Sequence, residues 1–315
     1  MPLDARLATI SDAIRAKYTQ DIPANWQPPK HAHLLRTTGA FIDDVIRQLS
    51  DDGTAGDALP WEKAARIFRL RPHEMTLWVG SNGSAKSTIL SEILLALAHA
   101  GKRVVIVSLE MPAYKVAAKM AIQALCNRHP VRALVENWAE RLSDSLCFLD
   151  LTGDLSPVEV IKLARYCAHE LNTQHLMIDN LTKIVSADND HADEQRRFVA
   201  QLHRAAMDTG MHVHLVAHTR KPSGDEERPP SRYEAAGSRT LVDQPDNVVT
   251  IWRDREKERK QAEGEMGLAE KPDIVLNVDK QRHGDFTGYV KLWMDRGNYR
   301  FVGGWGTSSV PYARD

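Results

Sequence analysis

The stretch Gly80-Ser81-Asn82-Gly83-Ser84-Ala85-Lys86-Ser87-Thr88 has the residue types and spacing of a phosphate-binding loop. It follows a short apolar run, Met75–Val79, and opens into an amphipathic segment that begins at Ile89. In a strand, turn and helix of this kind, backbone N–H groups cradle phosphates, the lysine reaches the β- and γ-phosphates, and the serine hydroxyl ligates Mg²⁺. We therefore predict that residues 80–88 bind ATP, with Lys86 on the phosphates and Ser87 on the metal.

One residue departs from the usual pattern of such loops, because Ala85 stands where glycine is expected. Alanine adds a methyl group where backbone approaches phosphate, and it adopts a positive φ less readily than glycine does. We predict that nucleotide still binds, on the condition that φ is negative at this residue. We also predict that Ala85→Gly alters turnover more than affinity.

Three polar residues follow predicted strands at the edge where the loop lies. Asp179 follows a buried apolar run, and a carboxylate there can hold Mg²⁺. Glu110 ends the strand after the loop's helix, where it can act as a general base toward water. His218 ends the next strand after Asp179, where it can contact the γ-phosphate. For Asp179 and Glu110 the alternative is a helix or turn cap, and for His218 it is a structural or solvated role.

Lys280 and Arg282 leave one face of a predicted strand, since side chains alternate along a strand. Two cations on one face can stabilise the charge of a phosphoryl group in transfer, as arginine fingers do. The alternative is a solvated strand edge, where charged side chains discourage aggregation.

These side chains need a scaffold of alternating strands and helices, and the sequence provides one from Trp61 onward. Apolar runs that predict strands lie at 75–79, 103–108, 145–151, 175–178 and 211–217. Helical patterns separate them, which predicts a mostly parallel α/β sheet that binds ligand at the carboxyl ends of its strands. Later strands at 247–252, 273–279, 288–294 and 299–302 predict antiparallel hairpins, a combination typical of RecA-like P-loop NTPases.

The first 60 residues differ from the rest and predict a small helical N-terminal extension. Helical spacing covers 5–18 and about 38–49, and a turn-rich break separates the two. Two short helices cannot form a core alone, so they pack on the main domain or dock on a neighbouring subunit. We therefore divide the chain into an extension and linker, 1–60, and an ATPase domain, 61–315.

Composition bounds the surroundings of the protein. The chain has 315 residues and a formal net charge of -1, so any nucleic-acid surface must be local or made by assembly. Cys126, Cys147 and Cys167 are too widely spaced for a CxxC site, which predicts buried reduced thiols. There is no signal-peptide pattern and no apolar run long enough for a membrane span, so we expect a soluble cytoplasmic protein.

Together these residues resemble the RecA-like motor domain of hexameric replicative DNA helicases, the family of DnaB, Twinkle and phage primase-helicases. The resemblance runs from about Trp61 to Val302. Its most specific part is Ser-Leu-Glu-Met-Pro at 108–112, a hallmark of the DnaB type, and it implies that Glu110 is the catalytic base. The segment Met177-Ile178-Asp179-Asn180-Leu181 is similar to the family's Walker B segment. Val-Ala-His-Thr-Arg-Lys at 216–221 is similar to its γ-phosphate sensor, with His218 in the sensor place.

The family also implies assembly and DNA contacts. Lys-Gln-Arg-His-Gly at 280–284 resembles a signature whose lysine and arginine reach a neighbouring subunit's nucleotide. The family's DNA-binding loops line the channel of a ring and fall on about 182–194 and 232–242 here. The DNA-contact candidates, each of which could equally be a plain loop residue, are Lys183, Arg220, Lys221, Gly237, Ser238 and Arg239.

The resemblance therefore implies an ATP- and Mg²⁺-dependent, ring-forming replicative helicase that moves along single-stranded DNA. It implies a phage or plasmid origin, a homo-hexamer, and a separate primase or other replication proteins as partners. Two alternatives belong to other classes. One is a RecA-like ATPase that does not unwind, such as a recombination mediator, helicase loader or regulatory ring. The other is an adaptor that binds DNA in an ATP-switched way.

Overall fold

The protein divides into two compact units, Met1–Asp52 and Gly53–Asp315. The computed structural model describes residues 27, 30–31, 34–49, 55–186, 191–218 and 239–312. In the first unit a 3₁₀ turn, Thr38–Phe41, leads into helix α1, Ile42–Leu49, over the segment where a helix was predicted. The helix predicted at 5–18 lies outside the described residues.

The second unit alternates strands and helices. Its strands are β1 Asp57–Ala58, β2 Arg69–Leu70, β3 Met75–Gly80, β4 Val104–Ser108, β5 Leu146–Phe148, β6 His175–Asp179, β7 His212–His218, β8 Asn247–Arg253, β9 Ile274–Gln281, β10 Gly288–Asp295 and β11 Arg300–Val302. Its helices are α2 Glu62–Ala65, α3 Lys86–His99, α4 Ala113–Leu125, α5 Arg132–Arg141, α6 Pro157–Glu170, α7 Ala192–Thr209, α8 Arg239–Asp243 and α9 Arg255–Ala262, with a 3₁₀ turn at Leu181–Lys183.

Nine of these strands form one sheet in the order β11-β10-β9-β8-β3-β7-β6-β4-β5. The strands from β8 to β5 in this order pair in parallel, whereas β8–β9, β9–β10 and β10–β11 are antiparallel. The predicted α/β fold, a mostly parallel sheet that finishes with antiparallel hairpins, is confirmed.

The central strands are buried on both faces because helices cover the sheet on each side. Every residue of β3, β4 and β6 is buried, as expected for parallel strands with near-continuous apolar sequences. Helix α3 follows the predicted phosphate loop and buries Ile89, Leu90 and Ile93 completely. A helix that is apolar nearly all round belongs in a core, so the loop is fixed to the most rigid part of the unit.

The local signals for helix boundaries had mixed success. Ser156 and Glu159 form a capping box at the start of α6, with proline at the first helical position, and the sequence Ser-Pro-Val-Glu at 156–159 is typical of such a helix start. Helix α9 was missed, because the charged stretch between β8 and β9 has no apolar stripe. Its N-cap is Asp254, whose side chain accepts a hydrogen bond from the Lys257 N–H.

A chain of buried hydrogen bonds ties the start of the second unit to its central strand. Trp78 Nε1 donates to His214 Nδ1 at 3.2 Å, so His214 carries its proton on Nε2. That Nε2 lies 3.2 Å from His175 Nδ1, and His175 Nε2 lies 3.0 Å from the Asp57 carboxylate. Because the Trp78 indole N–H can only donate, His214 accepts at Nδ1 and donates from Nε2 to His175 Nδ1. His175 can then donate from Nε2 to Asp57, so the ring nitrogens of both histidines have partners.

Stability should fall as the pH drops below about 6.5, because His212 and His214 are buried and uncharged in the folded protein. Burial lowers the pKa of His212 to about 3 and the pKa of His214 well below its usual value. The unfolded chain then binds more protons than the folded protein, so each histidine costs about 1.4 kcal/mol of stability per pH unit below that point. Urea unfolding at several pH values measures this slope. The exposed His129→Gln variant should keep the slope, and a flat profile between pH 6.5 and 4.5 would contradict this account.

No helix among the described residues is long and apolar enough to cross a bilayer. The three cysteines are unpaired, and Cys167 is buried as predicted, but Cys126 is only partly buried and Cys147 is exposed. Cys147 lies on the short edge strand β5, where one of the two faces meets solvent.

Candidate functional site

The parallel strands bring the predicted phosphate loop and its partners to one edge of the sheet. Gly80 at the end of β3 pairs with His218 at the end of β7. Ser108 at the end of β4 pairs with Asp179 at the end of β6, and Glu110 follows two residues later. The carboxyl ends of four strands thus meet around the loop, the place where open α/β sheets bind ligands.

The loop itself turns tightly before helix α3. The Ser84 N–H donates to Ser81 O at 3.1 Å, and Gly83 has a φ of +75° that favours glycine. The Ser84 hydroxyl is buried and has no hydrogen-bond partner among the described residues. A buried polar atom without a partner in a glycine-containing turn before a helix fits a loop that binds phosphate oxygens.

Ala85 has a φ of +68°, so the condition attached to the sequence prediction, a negative φ, is wrong. A left-handed conformation costs alanine about 1–2 kcal/mol. The residue sits at the N-cap of α3 and its methyl group packs against the core cluster around that helix. Packing around α3 therefore holds Ala85 in a left-handed conformation that favours glycine. The methyl group is accommodated by the core and does not force φ to a negative value.

Removal of the methyl group at Ala85 should have little effect on nucleotide affinity and stability, whereas addition of a methyl group at Gly80 should lower both. Ala85→Gly should leave the nucleotide affinity within about twofold and stability within about 1 kcal/mol, because relief of the φ strain offsets the lost methyl burial and backbone entropy. Gly80→Ala should lose about 1–3 kcal/mol of stability together with nucleotide binding. A methyl group at Gly80 would lie 2.5 Å from Ser84 Oγ and 2.7 Å from Ile251 O. Fluorescent-nucleotide titration and thermal unfolding measure both variants. A tenfold loss of affinity in Ala85→Gly would contradict this assignment of the strain.

Lys86 lies at the first turn of α3 with its ammonium group held inside the loop. Its Nζ donates to Gly80 O at 2.8 Å and to Ser81 O at 2.9 Å, and lies 3.1 Å from His218 Nδ1. Burial lowers the pKa of Lys86 to about 8, while Asp179 and Glu110 act in the opposite direction. The lysine is thus close to the positions from which it would reach a bound phosphate.

Ser87 and Asp179 form the pair expected of a magnesium site. Ser87 Oγ donates to Asp179 Oδ2 at 2.7 Å, and burial raises the pKa of Asp179. Mg²⁺ in nucleotide sites takes one or two carboxylates, a hydroxyl, waters and substrate phosphates as ligands, so these two residues fit that ion. The described residues contain no cluster of three or more His, Cys, Asp or Glu side chains that could hold a metal alone.

Glu110 and His218 meet through Asn180, a residue whose role the motifs in the sequence do not indicate. Asn180 is fully buried directly after Asp179, and its Nδ2 lies 2.5 Å from Glu110 Oε1 and 2.6 Å from His218 Nε2. His218 Nε2 lies 3.3 Å from the same carboxylate oxygen. A polar residue at the end of a buried strand is the signal that could have drawn attention to Asn180.

Three further cations contact the loop and were missed. Lys119 on α4 donates to Thr88 Oγ1 at 2.7 Å, and burial lowers its pKa. Arg253 donates to Gly83 O at 3.3 Å, and the Arg255 guanidinium contacts Asn82 O. The two arginines occupy loop carbonyl oxygens, whereas Lys119 binds the hydroxyl group of Thr88. No spacing rule connects residues so far apart in the sequence.

Lys280 and Arg282 do not join this cluster. Gln281, which lies between them, pairs with Asn247 at the start of β8, and Asn247 pairs with Thr76 near the start of β3. The loop follows the end of β3, so Lys280 and Arg282 lie at the opposite edge of the sheet. Lys280 Nζ donates to carbonyl oxygens at the end of α8, including Asp243 O at 2.7 Å. Arg282 lies 3.1 Å from Asp246 Oδ1 and keeps 45% of its side chain exposed. Neither cation can serve the loop of its own subunit from this edge.

Two of the six DNA-contact candidates, Lys183 and Arg239, lie among the described residues. Lys183, in the 3₁₀ turn after β6, lies 3.6 Å from Asp154 Oδ1 in an exposed ion pair. Arg239 begins helix α8. Arg220, Lys221, Gly237 and Ser238 lie outside the described residues.

Comparison with known proteins places this arrangement among nucleotide-binding domains. A family model described as an AAA domain matches residues 49–224. The fold is similar to a solved structure described as an ATPase domain, with a TM-score of 0.71 and 14% sequence identity, over 85% of this chain and 98% of that one. It is also similar to the structure of a DnaB-like replicative helicase and its interactions with primase, with a TM-score of 0.68 and 14% identity, over 95% of this chain and 76% of that one. The likeness to RecA-like helicase motor domains that the motifs predicted is confirmed at the level of the fold.

Proposed function

Because the chain belongs to the AAA domain family, which matches more than half of its length, we propose that it is an ATP-hydrolysing replicative DNA helicase. In this proposal the protein forms a homo-hexameric ring that translocates on single-stranded DNA in the cytoplasm. It is encoded by a phage or plasmid, and residues 1–60 tie subunits together or recruit a separate primase. The observation that carries the proposal is the meeting of Lys86, the Ser87–Asp179 pair and Glu110 at one sheet edge beside the phosphate loop.

The residues divide the work of hydrolysis. The loop N–H groups and Lys86 bind the phosphates, and Lys86 exchanges the carbonyl oxygens of Gly80 and Ser81 for phosphate oxygens. Ser87 and Asp179 hold Mg²⁺, which neutralises phosphate charge when bound. Glu110 accepts the proton of the attacking water, and its side chain is 40% exposed, so water reaches it.

The charge that develops on the transferred phosphoryl group needs a further cation. Lys280 and Arg282 lie at the opposite sheet edge, so in this proposal they act on the nucleotide of the adjacent subunit. Each ATP site is then completed by two chains, and an isolated subunit hydrolyses slowly. A ring also gathers several copies of Lys183 and Arg239 in one channel, which compensates for the net charge of -1 on each chain.

One observation favours the alternative of an ATP-switched adaptor with little turnover. In the single chain, Arg282 is paired with Asp246 and the Lys86 ammonium with loop carbonyl oxygens. Both cations would have to leave these partners for rapid hydrolysis. Phosphate release with and without single-stranded DNA separates the two functions. The helicase proposal expects DNA to stimulate hydrolysis severalfold and Lys86→Ala to abolish it, whereas an unstimulated, very slow rate would favour the adaptor.

A further inference from the structure

Asn180 lies at the centre of the site and contacts both Glu110 and His218. Its orientation is fixed, because its Oδ1 accepts from the Thr182 N–H at 3.0 Å and a backbone N–H can only donate. The Thr182 hydroxyl reaches the same oxygen at 2.5 Å. The amide nitrogen must therefore face Glu110 and His218, and its two hydrogens are the only donors it can offer them.

Glu110 depends on this amide for its orientation. The Glu110 side chain is exposed, whereas Asn180 is fully buried and cannot move without breaking the turn to Thr182. A charged acceptor on a buried donor makes a strong hydrogen bond at 2.5 Å. The exposed carboxylate is thus held by a buried partner at the end of the neighbouring strand.

His218 meets hydrogen-bond donors on both sides of its ring. The Lys86 ammonium lies 3.1 Å from Nδ1, and the Asn180 amide lies 2.6 Å from Nε2. A neutral imidazole accepts at only one nitrogen, so one of these contacts sets a donor against a donor. While Lys86 occupies Nδ1, the ring proton must sit on Nε2, where it points to Glu110 and Asn180. Withdrawal of Lys86 toward a phosphate removes this conflict, since Nδ1 can then carry the proton while Nε2 accepts from Asn180.

We propose that Asn180 is a positioning residue that orients the Glu110 carboxylate, responds to the tautomer of His218 and fastens both side chains to the segment that begins at Thr182. The inference rests on the proposed function and extends it. Movement of Lys86 to the phosphate changes the proton position on His218, and Asn180 passes this change to the general base. The same amide oxygen holds the turn after β6, so a displacement of that turn would release Glu110.

The chain offers a matched control for this role in Asn298. Its Oδ1 accepts from the Arg300 N–H two residues later at 3.0 Å, and its Nδ2 donates to the Asp295 carboxylate at 3.0 Å. Like Asn180, which is fully buried, Asn298 has little exposure, at 5%. It lies away from the site, in the turn between β10 and β11. The two asparagines therefore share their local geometry and differ in what they hold.

Steady-state ATPase kinetics, fluorescent-nucleotide titration and the pH profile of kcat test the proposal on Asn180→Ala, Asn180→Asp and Asn298→Asp, with Glu110→Gln as reference. Asn180→Ala should lower kcat about tenfold or more with nucleotide affinity within about twofold, because part of the general-base contribution is lost. Asn180→Asp places a second carboxylate against Glu110. The acidic limb of this variant's pH profile of kcat should therefore shift to higher pH by about one unit or more. Asn298→Asp should keep the wild-type profile.

Three outcomes would overturn the assignment of Asn180. The first is an Asn180→Asp variant that has a kcat within twofold of wild type and an unshifted pH profile of kcat, while Glu110→Gln is inactive. The second is a loss of affinity in proportion to kcat, which indicates local collapse. The third is an equal shift of the profile in Asn298→Asp. If Asn180→Ala does not fold, the isosteric Asn180→Asp decides alone. A fully active Glu110→Gln would instead show that the proposed function of the site is wrong.

Discussion

Replacement of Glu110 by glutamine should slow ATP hydrolysis by about 10²–10⁴-fold, the range that a general base contributes. Glutamine keeps the size of the side chain and an oxygen that can accept from Asn180, so the geometry of the site should persist. It cannot take a proton from water at neutral pH. The Glu110 carboxylate accepts its hydrogen bond from Asn180 and influences Lys86 only through its charge, so nucleotide affinity should change by no more than about threefold.

The control for this variant is Glu136→Gln on the surface of α5. Glu136 pairs with Arg132 one helical turn away, and both side chains are exposed, so its loss should leave the rate unchanged. Phosphate release under saturating ATP measures both variants. If Glu110→Gln retains more than a tenth of the wild-type rate, the water is activated by another group and the assigned base is wrong.

Replacement of Arg282 by alanine should produce a loss of similar or greater size, because an arginine finger contributes about 10³–10⁵ in kcat. The sheet places Arg282 opposite the loop of its own subunit, so the effect must be exerted on a neighbour. Stability should change little, since Arg282 is 45% exposed and the buried Asp246 carboxylate keeps the hydrogen bond from the Met75 N–H and its contact with His203 Nε2 at 2.8 Å. Lys280→Ala should act in the same direction.

Mixing two inactive variants tests the exchange between subunits directly. An Arg282→Ala subunit keeps its own Glu110, and a neighbouring Glu110→Gln subunit can supply Arg282. A mixture of the two should therefore recover ATPase activity that neither variant has alone. Dilution of the wild type below the concentration of assembly should lower the rate per subunit. Lack of recovery in the mixture, with a rate per subunit that is constant on dilution, would show that Arg282 does not act in trans.

Much of the scaffold could be predicted because its strands are buried on both faces. β3, β4 and β6 have continuous apolar sequences that end in Gly80, Ser108 and Asp179, and the end of a strand can be read from such a run. Parallel pairing then places the residues at the strand ends together without further information. The meeting of Lys86, Ser87, Glu110, Asp179 and His218 follows from that rule.

Other features depend on tertiary contacts that leave no local pattern. The positive φ of Ala85 opposes its intrinsic preference and is imposed by the packing of α3. Lys119 and Arg253 reach the loop from elements remote in the sequence, and α9 has no apolar stripe to reveal it. The assignment of Asn180 needed distances, because an asparagine after a buried strand is compatible with a simple turn cap.

Strand separation on a forked DNA duplex tests the central claim most directly. With ATP and Mg²⁺, the wild-type protein should separate the strands, and Glu110→Gln should bind the fork without separating it. The same reaction without ATP gives the background. If the wild-type protein hydrolyses ATP at a rate that single-stranded DNA stimulates, yet leaves the fork intact, then the protein is a non-unwinding ATPase and the helicase proposal is wrong.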